Sequence, residues 1–302
     1  MKVVALAGGT GSAKLLRGLQ RLPINLTVIA NVGDNAWMYG VYVCPDIDIS
    51  CYTLAGIADP SRGWGIAGDT FEALAAFSRY GLETWFKLGD RDLATCTART
   101  ALMRAGSSLT EATEVIRKGL GVKPPVLPSC DEHVQTAIST SKGELDLQYF
   151  WVREKGSPTV KGVRYVGAGN ARPTKRVRDA LRAADRVVIC PANPVTSVGP
   201  MLAIPGFVRL LKLAPRVVAL SPMMGNAPFS GPAGKLMKAA DLEPDSLGVA
   251  RLYSRFLDSL VISSKDGALQ ERIRALGIDC TTSNTLIEGP DDELRLAKEL
   301  LA

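Results

Sequence analysis

The sequence predicts an α/β protein with a Rossmann-like, doubly wound and mainly parallel sheet that carries a helical insertion. Five short apolar segments are typical of strands that are buried on both faces of a parallel sheet. Most of them are followed by helical periodicity, as in alternating β and α units. Ligands of such sheets bind outside the carboxyl ends of the strands. The segments are VVALA (3–7), LTVIAN (26–31), RVVICPAN (186–193), RVVALSP (216–222) and LVISS (260–264).

Strand signals are missing between about residues 50 and 125, where three successive segments have helical periodicity. They are FEALAAFSRYGLETW, RDLATCTARTALMRAG and SLTEATEVIRKGLG, the last of which begins with a Ser/Thr cap. A proline-rich KPPVLPSCD marks the end of this region. We predict a Rossmann-like core of residues 1–48 and 126–302 and a helical insertion of residues 49–125. Residues 143–167 predict extended strands with a turn at KGSP.

The charge and hydropathy of this 302-residue chain limit the kinds of partner that we expect it to bind. Its net charge of +6 favours anionic ligands, whether nucleic acid, lipid headgroups or phosphorylated metabolites, and charge alone does not choose among them. The basic stretch RPTKRVRDALR predicts a solvated helix rather than a nucleic-acid contact, because no nucleic-acid-binding motif accompanies it. No apolar stretch reaches membrane-spanning length, and the apolar run after Met1 is too short for a signal-peptide core. We expect a cytoplasmic protein without a membrane or nucleic-acid partner.

Histidine and cysteine usage excludes several kinds of chemistry. The six cysteines are far apart and form no CxxC pair, so neither a zinc site nor a redox motif is indicated. His133 is the single histidine of the chain, and we interpret it as structural. Acid/base or metal chemistry therefore falls to carboxylates.

A glycine-rich turn after the first strand predicts a phosphate cradle. It comprises residues 8–14, GGTGSAK, and begins a helix. Glycines let backbone amides approach a phosphate, and a helix N-terminus attracts negative charge. The turn is neither a P-loop nor a dinucleotide fingerprint, since the third glycine would fall at Lys14. The candidate phosphate contacts are Gly9, Thr10, Gly11 and Lys14; a tight turn without a ligand is the alternative.

Three aspartates follow the second strand: Asp34, Asp46 and Asp48. Hard carboxylate oxygens beside a diphosphate are typical of a Mg²⁺ site. Each acid has alternatives, since aspartates commonly cap turns and Asp34 is also placed to hold a ribose hydroxyl. Aromatic residues surround these acids and either stack a flat heterocycle or pack in the core. They are Trp37, Tyr39, Tyr52 and Trp64.

Two later loops each follow a predicted strand and combine prolines with polar residues. Residues 190–206 contain Asn193, Thr196 and Ser197, and residues 221–237 contain Gly225 and Asn226. Prolines restrict these loops, so their polar groups are preorganised for recognition of a nucleotide.

Six motifs in a fixed order are more specific than any one of them. They are GGTGSAKLLRGL, NVGDNAWMYGVYVCPDID, DPSRGWG, KLGDRDLAT, ANPVTSVGPML followed by IPG, and SPMMGNAPFSGPAGKLM. Together they span nearly the whole chain, which resembles the CofD family of 2-phospho-L-lactate transferases. The resemblance implies transfer of a phospholactyl or phosphoenolpyruvyl group from a guanosine diphosphate donor to the ribityl hydroxyl of the deazaflavin Fo. GMP is the leaving group, and the product belongs to coenzyme factor 420 biosynthesis.

The resemblance also implies roles for particular residues. A divalent metal, Mg²⁺, is expected on Asp34 and Asp48. Asp48 is the expected catalytic residue, and Fo is expected to contact Asp48, Lys87 and Trp37. The family has threonine after the second acid of PDID, where this chain has Ile49. A homodimer is a further implication.

Two other functions compete with this interpretation. A related branch shares the GGTG turn and binds a nucleotide-sugar in a regulatory role, but it carries a glycine- and serine-rich segment after the second strand. The aromatic and acidic segment of residues 33–48 favours the transferase. An NAD-dependent dehydrogenase is disfavoured by the missing third glycine.

Overall fold

A seven-stranded sheet forms the centre of the computed structural model, which describes residues 1–225 and 232–302 in full and residues 227–228 as backbone. The strands are β1 (Lys2–Ala7), β2 (Asn25–Ala30), β3 (Ala36–Met38), β4 (Val41–Val43), β5 (Val126–Pro128), β6 (Gln135–Thr140), β7 (Gly143–Asp146), β8 (Val160–Val166), β9 (Arg186–Ile189), β10 (Val217–Leu220), β11 (Met223–Met224), β12 (Ala227–Pro228), β13 (Ser259–Ser263) and β14 (Asp279–Ser283).

The helices follow the strands along the chain. They are α1 (Gly9–Gln20), α2 (Pro45–Leu54), α3 (Glu72–Arg79), α4 (Asp90–Arg104), α5 (Leu109–Gly119), α6 (Lys175–Ala183), α7 (Gly199–Ala203), α8 (Phe207–Lys212), α9 (Ala233–Ala239), α10 (Ser246–Tyr253), α11 (Gln270–Arg274) and α12 (Pro290–Leu301). Tyr149–Arg153 and Pro194–Val198 are short π-helical turns, and Ala168–Asn170 and Ser264–Leu269 are 3₁₀ turns.

The sheet has the strand order β14-β13-β10-β9-β1-β2-β5, and every pairing within it is parallel. This confirms the predicted α/β class. The five predicted segments are β1, β2, β9, β10 and β13. The chain leaves β1 toward β2 and β5 on one side and returns to β9 on the other, so the strand order reverses between β1 and β9. Ligands bind at such a switch point in open α/β sheets.

Apolar burial explains why these segments form the centre. Residues 3–7 of β1 are at most 2% exposed, as are residues 187–189 of β9. Helix α1 packs closely on α12, since a side chain at Gly18 would clash with the carbonyl of Glu293. The glycine therefore fixes how near α1 lies to the C-terminal helix.

The region predicted as an insertion contains α3, α4 and α5. Helix α5 has the expected cap, because Ser108 and Glu111 form a reciprocal capping box. Helix α2 crosses the proposed boundary at residues 48–49, and β5 begins at Val126. The division into residues 1–48 with 126–302 and residues 49–125 stays a prediction.

The prediction of strands throughout residues 143–167 is wrong in part. β7 and β8 pair with β6 in an antiparallel sheet, but residues 149–153 form a helical turn. Asp146 Oδ1 accepts a hydrogen bond from the Tyr149 amide at 2.7 Å, which favours a turn there, and Phe150 is fully buried beneath it. Of the helices in the described residues, none is long and apolar enough to span a bilayer.

Candidate active site

A cavity of about 400 Å³ lies at the switch point of the sheet. One wall is the turn after β1, and a second wall is the loop after β9. The N-terminal part of α2 forms its floor, and residues from the region between α2 and α4 close another side. The predicted location at the carboxyl ends of the strands therefore matches the geometry of the cavity.

The turn after β1 needs glycines because the loop after β9 packs directly against its backbone and leaves no room for side chains. A side chain at Gly8 would meet Ser197 Cβ at 2.5 Å, and one at Gly11 would clash with the carbonyl oxygen of Pro191. The backbone at the start of α1 is therefore held directly against the loop after β9. Gly9, Thr10 and Gly11 all line the cavity.

Asp34 and Asp46 lie together beside this turn. Asp46 Oδ1 accepts a hydrogen bond from the Gly9 amide at 2.6 Å. The Asn31 side-chain amide is 2.9 Å from Asp46 Oδ2, 3.2 Å from Asp34 Oδ1 and 3.1 Å from the carbonyl of Thr196. Among the described residues, no lysine or arginine forms a salt bridge with either aspartate. The two carboxylates therefore share one neutral donor.

Burial of this pair raises the pKa of both carboxyl groups. The pKa of Asp34 lies well above its ordinary value, first because of burial and second because of the nearby charge of Asp46. Burial raises the pKa of Asp46 to about 6, although Asn31 and the Gly9 amide oppose the rise. Two adjacent buried carboxyl groups without a cationic partner are a donor set whose ionised form a divalent cation would stabilise.

Asp48 lies two residues after Asp46 but has a different environment. Its Oδ1 accepts a hydrogen bond from the guanidinium of Arg99, and the Arg99 side chain is fully buried. Asp92 lies near and accepts a hydrogen bond from the Tyr52 hydroxyl at 2.7 Å. Ligand atoms of Asp48, Asp92 and Cys96 all lie within 4.8 Å of one another, a group that could hold a metal ion.

Electrostatics distinguish the members of this second cluster. Burial raises the pKa of Asp48, and the charge of Arg99 opposes that rise. Burial, followed by the charge of Asp48, raises the pKa of Asp92 to about 7. Burial also raises the pKa of the Cys96 thiol well above its ordinary value, so the thiol stays protonated at neutral pH. The guanidinium of Arg99, which is hydrogen-bonded to Asp48, disfavours a divalent cation at this position.

Of the three residues that are predicted to contact Fo, two line the cavity and one does not. Asp48 and Lys87 line the cavity, whereas Trp37 lies outside its wall. Trp37 is 55% exposed and packs on Tyr42 with ring centroids 5.1 Å apart. The aromatic surfaces of the wall are contributed by other residues, namely Tyr52, Trp64, Phe86 and Trp151.

The predicted nucleotide contacts in the two later loops also differ in position: those of the first loop line the cavity, and Gly225 of the second does not. Asn193, Thr196 and Ser197 line the cavity, and Asn193 Oδ1 accepts hydrogen bonds from the amides of residues 195 and 196. Gly225 does not belong to the described cavity wall, and its amide donates to Asp266 Oδ1 at 2.8 Å. Asn226 lies outside the described residues.

Lys14 faces a second cavity of about 250 Å³. The two cavities share Thr10 and Gly11, so the glycine-rich turn separates them. Lys14 Nζ donates a hydrogen bond to the carbonyl of Ile287 at 2.7 Å, which leaves its charge without an anionic partner among the described residues. Arg17 lies on the same wall but is paired with Glu293.

Sequence reasoning missed several residues of the site. Asp92 and Arg99 have a detectable signal, because with Cys96 they fall at positions i, i+4 and i+7 of one helix and so share a face. Gln148 and Trp151 line the cavity from a segment that was predicted as extended. Asp46 was identified as one of three acids, but nothing in the sequence separated its position from that of Asp48.

The fold and cavity define a Rossmann-like α/β protein with a glycine-rich turn and buried carboxylates at its switch point. Comparison with known families is more specific. The family model for 2-phospho-L-lactate transferase CofD matches residues 3–284, and the chain belongs to that family. Membership makes it a transferase, in agreement with the resemblance found in the six motifs.

Curated relatives match over nearly the full length. A 2-phospho-L-lactate transferase of Methanosarcina acetivorans is 41% identical over 298 residues, which cover 98% of this chain and 97% of the relative. A phosphoenolpyruvate transferase of Streptomyces avermitilis is 38% identical and covers 100% and 98%. A solved UPF0052-family protein of Bacillus halodurans has a TM-score of 0.67 at 16% identity, with coverage of 99% and 98%. This last similarity shows a shared fold.

Proposed function

We propose that this transferase moves a phospholactyl or phosphoenolpyruvyl group from a guanosine diphosphate donor to the ribityl hydroxyl of Fo and releases GMP. The relatives include both a 2-phospho-L-lactate transferase and a phosphoenolpyruvate transferase. The single observation that carries the proposal is the meeting of two cavities at one phosphate-type turn. A reaction that joins two large substrates through a phosphate needs such a junction.

The chemistry of each cavity supports a separate occupant. The larger cavity has flat aromatic walls with Lys87 at its edge, which suits the deazaflavin ring. The smaller cavity has Lys14 beside the N-terminal turn of α1, which suits the nucleoside phosphate end of the donor. The transferred phosphorus then lies between them, near Thr10 and Gly11. Asn193, Thr196 and Ser197 approach it from the opposite loop.

The donor set at Asp34 and Asp46 fits Mg²⁺ better than the cluster around Asp48. It consists of hard carboxylate oxygens without a cationic neighbour in the described part of the chain. We therefore assign the metal to Asp34 and Asp46. We assign Asp48, whose Oδ1 accepts from Arg99, to the acceptor side of the site, which is the part that binds Fo. Bound there, Mg²⁺ supplies charge neutralisation for the phosphoryl oxygens.

The reaction we propose is one displacement at the β-phosphorus. The ribityl oxygen of Fo forms a bond to that phosphorus, the bond to the oxygen bridging to the α-phosphate breaks, and GMP leaves. The hydroxyl proton passes to a carboxylate or to solvent. Asp48 orients the hydroxyl with its second oxygen, Oδ2, which the Cys96 thiol contacts at 4.0 Å, and amides at the start of α1 stabilise the developing negative charge.

Release of GMP by the purified protein tests this function. We expect release only when Fo and either the lactyl or the enolpyruvyl donor are both present, and we expect EDTA to abolish it. The donor that gives the higher kcat/KM identifies the three-carbon group. Tight nucleotide binding without release from any donor would instead support a regulatory nucleotide-binding protein.

Exchanging one lysine in each cavity tests the assignment of the two substrates. We expect Lys14→Met to weaken GDP binding ~10-fold or more, as is typical for loss of a charge-assisted hydrogen bond, and to leave Fo binding unchanged. Lys87→Met is expected to weaken Fo binding and to spare GDP. Calorimetry with each ligand measures both effects.

The matched control for this pair is Lys175→Met, since the Lys175 side chain is 82% exposed on α6 and lines neither cavity. It should change neither affinity. Weaker Fo binding by Lys14→Met, with GDP binding unaffected, would reverse the assignment of the cavities.

A further inference from the structure

The amides at the start of the glycine-rich turn already have acceptors. The Gly8 amide donates to Ser12 Oγ at 2.9 Å, and the Gly9 amide donates to Asp46 Oδ1 at 2.6 Å. An amide has one hydrogen, so a phosphate oxygen that uses the Gly9 amide must take it from Asp46. The acid therefore competes directly with the ligand that the turn is suited to bind.

Asp46 is held firmly in this competing position. Its Oδ2 is 2.9 Å from the Asn31 side-chain amide, and a Cβ added at Gly8 would come within 2.8 Å of the same oxygen. Asp46 also lies in the first turn of α2, where the helix N-terminus stabilises a negative charge. Its side chain is almost fully buried, with 3% of the residue exposed.

Charge adds to this competition. Asp46 and, beside it, Asp34 place buried carboxyl groups at the turn, and an ionised carboxylate in a partly desolvated site repels phosphate strongly. In the described wall of the larger cavity, where Gly9 and Asp46 lie, Lys87 is the one lysine or arginine, and it is in a different segment from the turn; Lys14 lines the second cavity. A phosphate that reaches the Gly9 amide therefore meets the carboxylate of Asp46, although Lys14 attracts it from the other cavity.

We propose that Asp46 gates the phosphate cradle: its carboxylate holds the Gly9 amide and repels nucleotide phosphate until a divalent cation engages the Asp34 and Asp46 pair. This inference rests on the proposed function, because it takes a nucleotide diphosphate as the ligand of the turn. Metal and nucleotide then bind with positive coupling, since a cation that draws Asp46 toward itself removes both the competitor and the repulsion. Metal-free nucleotide binding is correspondingly weak.

Removing the carboxylate gives a result that distinguishes this gate from a simple metal ligand. We expect Asp46→Ala to bind GDP in EDTA at least ~10-fold more tightly than the unaltered chain, because both competition and repulsion are lost. We also expect Mg²⁺ to improve GDP affinity far less in the variant. A residue that only ligates the metal would lose the Mg²⁺ effect without any gain in EDTA.

Isothermal titration of GDP, with Mg²⁺ or with EDTA, measures both quantities on the full chain. Asp46→Asn is the second variant, since asparagine keeps the size and an acceptor for Gly9, removes the charge, and replaces the oxygen that accepts from Asn31 with a donor. It should show a smaller gain in EDTA than Asp46→Ala. Asp258→Asn is the control, because Asp258 accepts from the Val217 amide at the amino end of β10, away from the cavity.

The outcomes separate the gate from the function on which it rests. If both Asp46 variants fold and neither binds GDP more tightly in EDTA, the gate is refuted, while GDP binding by the unaltered chain with Mg²⁺ keeps the proposed function. If the unaltered chain binds no GDP with Mg²⁺, both proposals fail. Thermal unfolding of each variant establishes folding independently of binding.

Discussion

Asp48→Asn is expected to lower the rate of transfer at least ~100-fold, with a much smaller effect on GDP binding. Asp48 presents to the cavity a carboxylate whose Oδ1 is already held by Arg99. Asparagine keeps one oxygen that accepts from the guanidinium, but it replaces the second oxygen with an amide nitrogen and removes the negative charge. The attacking hydroxyl then loses the group that orients it. Single-turnover measurement of GMP release, with the donor saturating, isolates this step.

The control for Asp48 must separate loss of chemistry from loss of folding. Asp258→Asn removes a carboxylate at the amino end of β10, whereas the cavity lies at the carboxyl ends of the strands. This variant should retain full activity. Asp48→Asn leaves the buried guanidinium of Arg99 without its carboxylate, so thermal unfolding should show a folded but less stable protein, in which the amide oxygen still accepts from Arg99. Turnover near that of the unaltered chain would remove Asp48 from the mechanism.

The parts of the fold that the sequence predicted are those with a buried apolar run. β1, β9 and β10 are enclosed on both faces, so burial appears directly as consecutive apolar residues. β14 lies at the sheet edge with the sequence DCTTS, and only Cys280 within it is fully buried. β5 has three residues and begins inside the proline-rich segment that marks the end of the helical region. Neither strand carries the pattern that identifies the others.

The candidate site was predicted at the level of its loops but not of its side chains. The acids of PDID were expected only to follow the second strand, whereas the structure places them in the first turn of α2. On a helix, residues two apart point about 200° apart, so Asp46 faces the glycine-rich turn and Asp48 faces Arg99. The sequence does not indicate that the two aspartates point in different directions unless the first residue of α2 is known. Lys14 likewise follows from the register of α1, which directs it into the second cavity.

Arg99→Met is expected to destabilise the protein by about 3–5 kcal/mol and to abolish most activity, because it leaves the Asp48 carboxylate buried and unpaired. Arg99 is fully buried and also donates to the carbonyl of Tyr42 at 3.1 Å, so it joins α4 to the segment that precedes α2. Without the guanidinium, burial alone raises the pKa of Asp48 further. Protonation then relieves the unpaired charge, so the loss in unfolding free energy should shrink as the pH falls.

Two further variants show whether Arg99 acts through Asp48. The double variant Asp48→Asn/Arg99→Met removes both buried charges, so it should recover much of the stability that Arg99→Met loses and none of the activity. Arg117→Met is the matched control, since Arg117 is 8% exposed and paired with Glu114 on α5 but lines neither cavity. It should lose stability and keep its kcat once folded. If the double variant is as unstable as Arg99→Met, the ion pair is not what couples α4 to the acceptor side of the site, and the contact with Tyr42 is the stronger explanation.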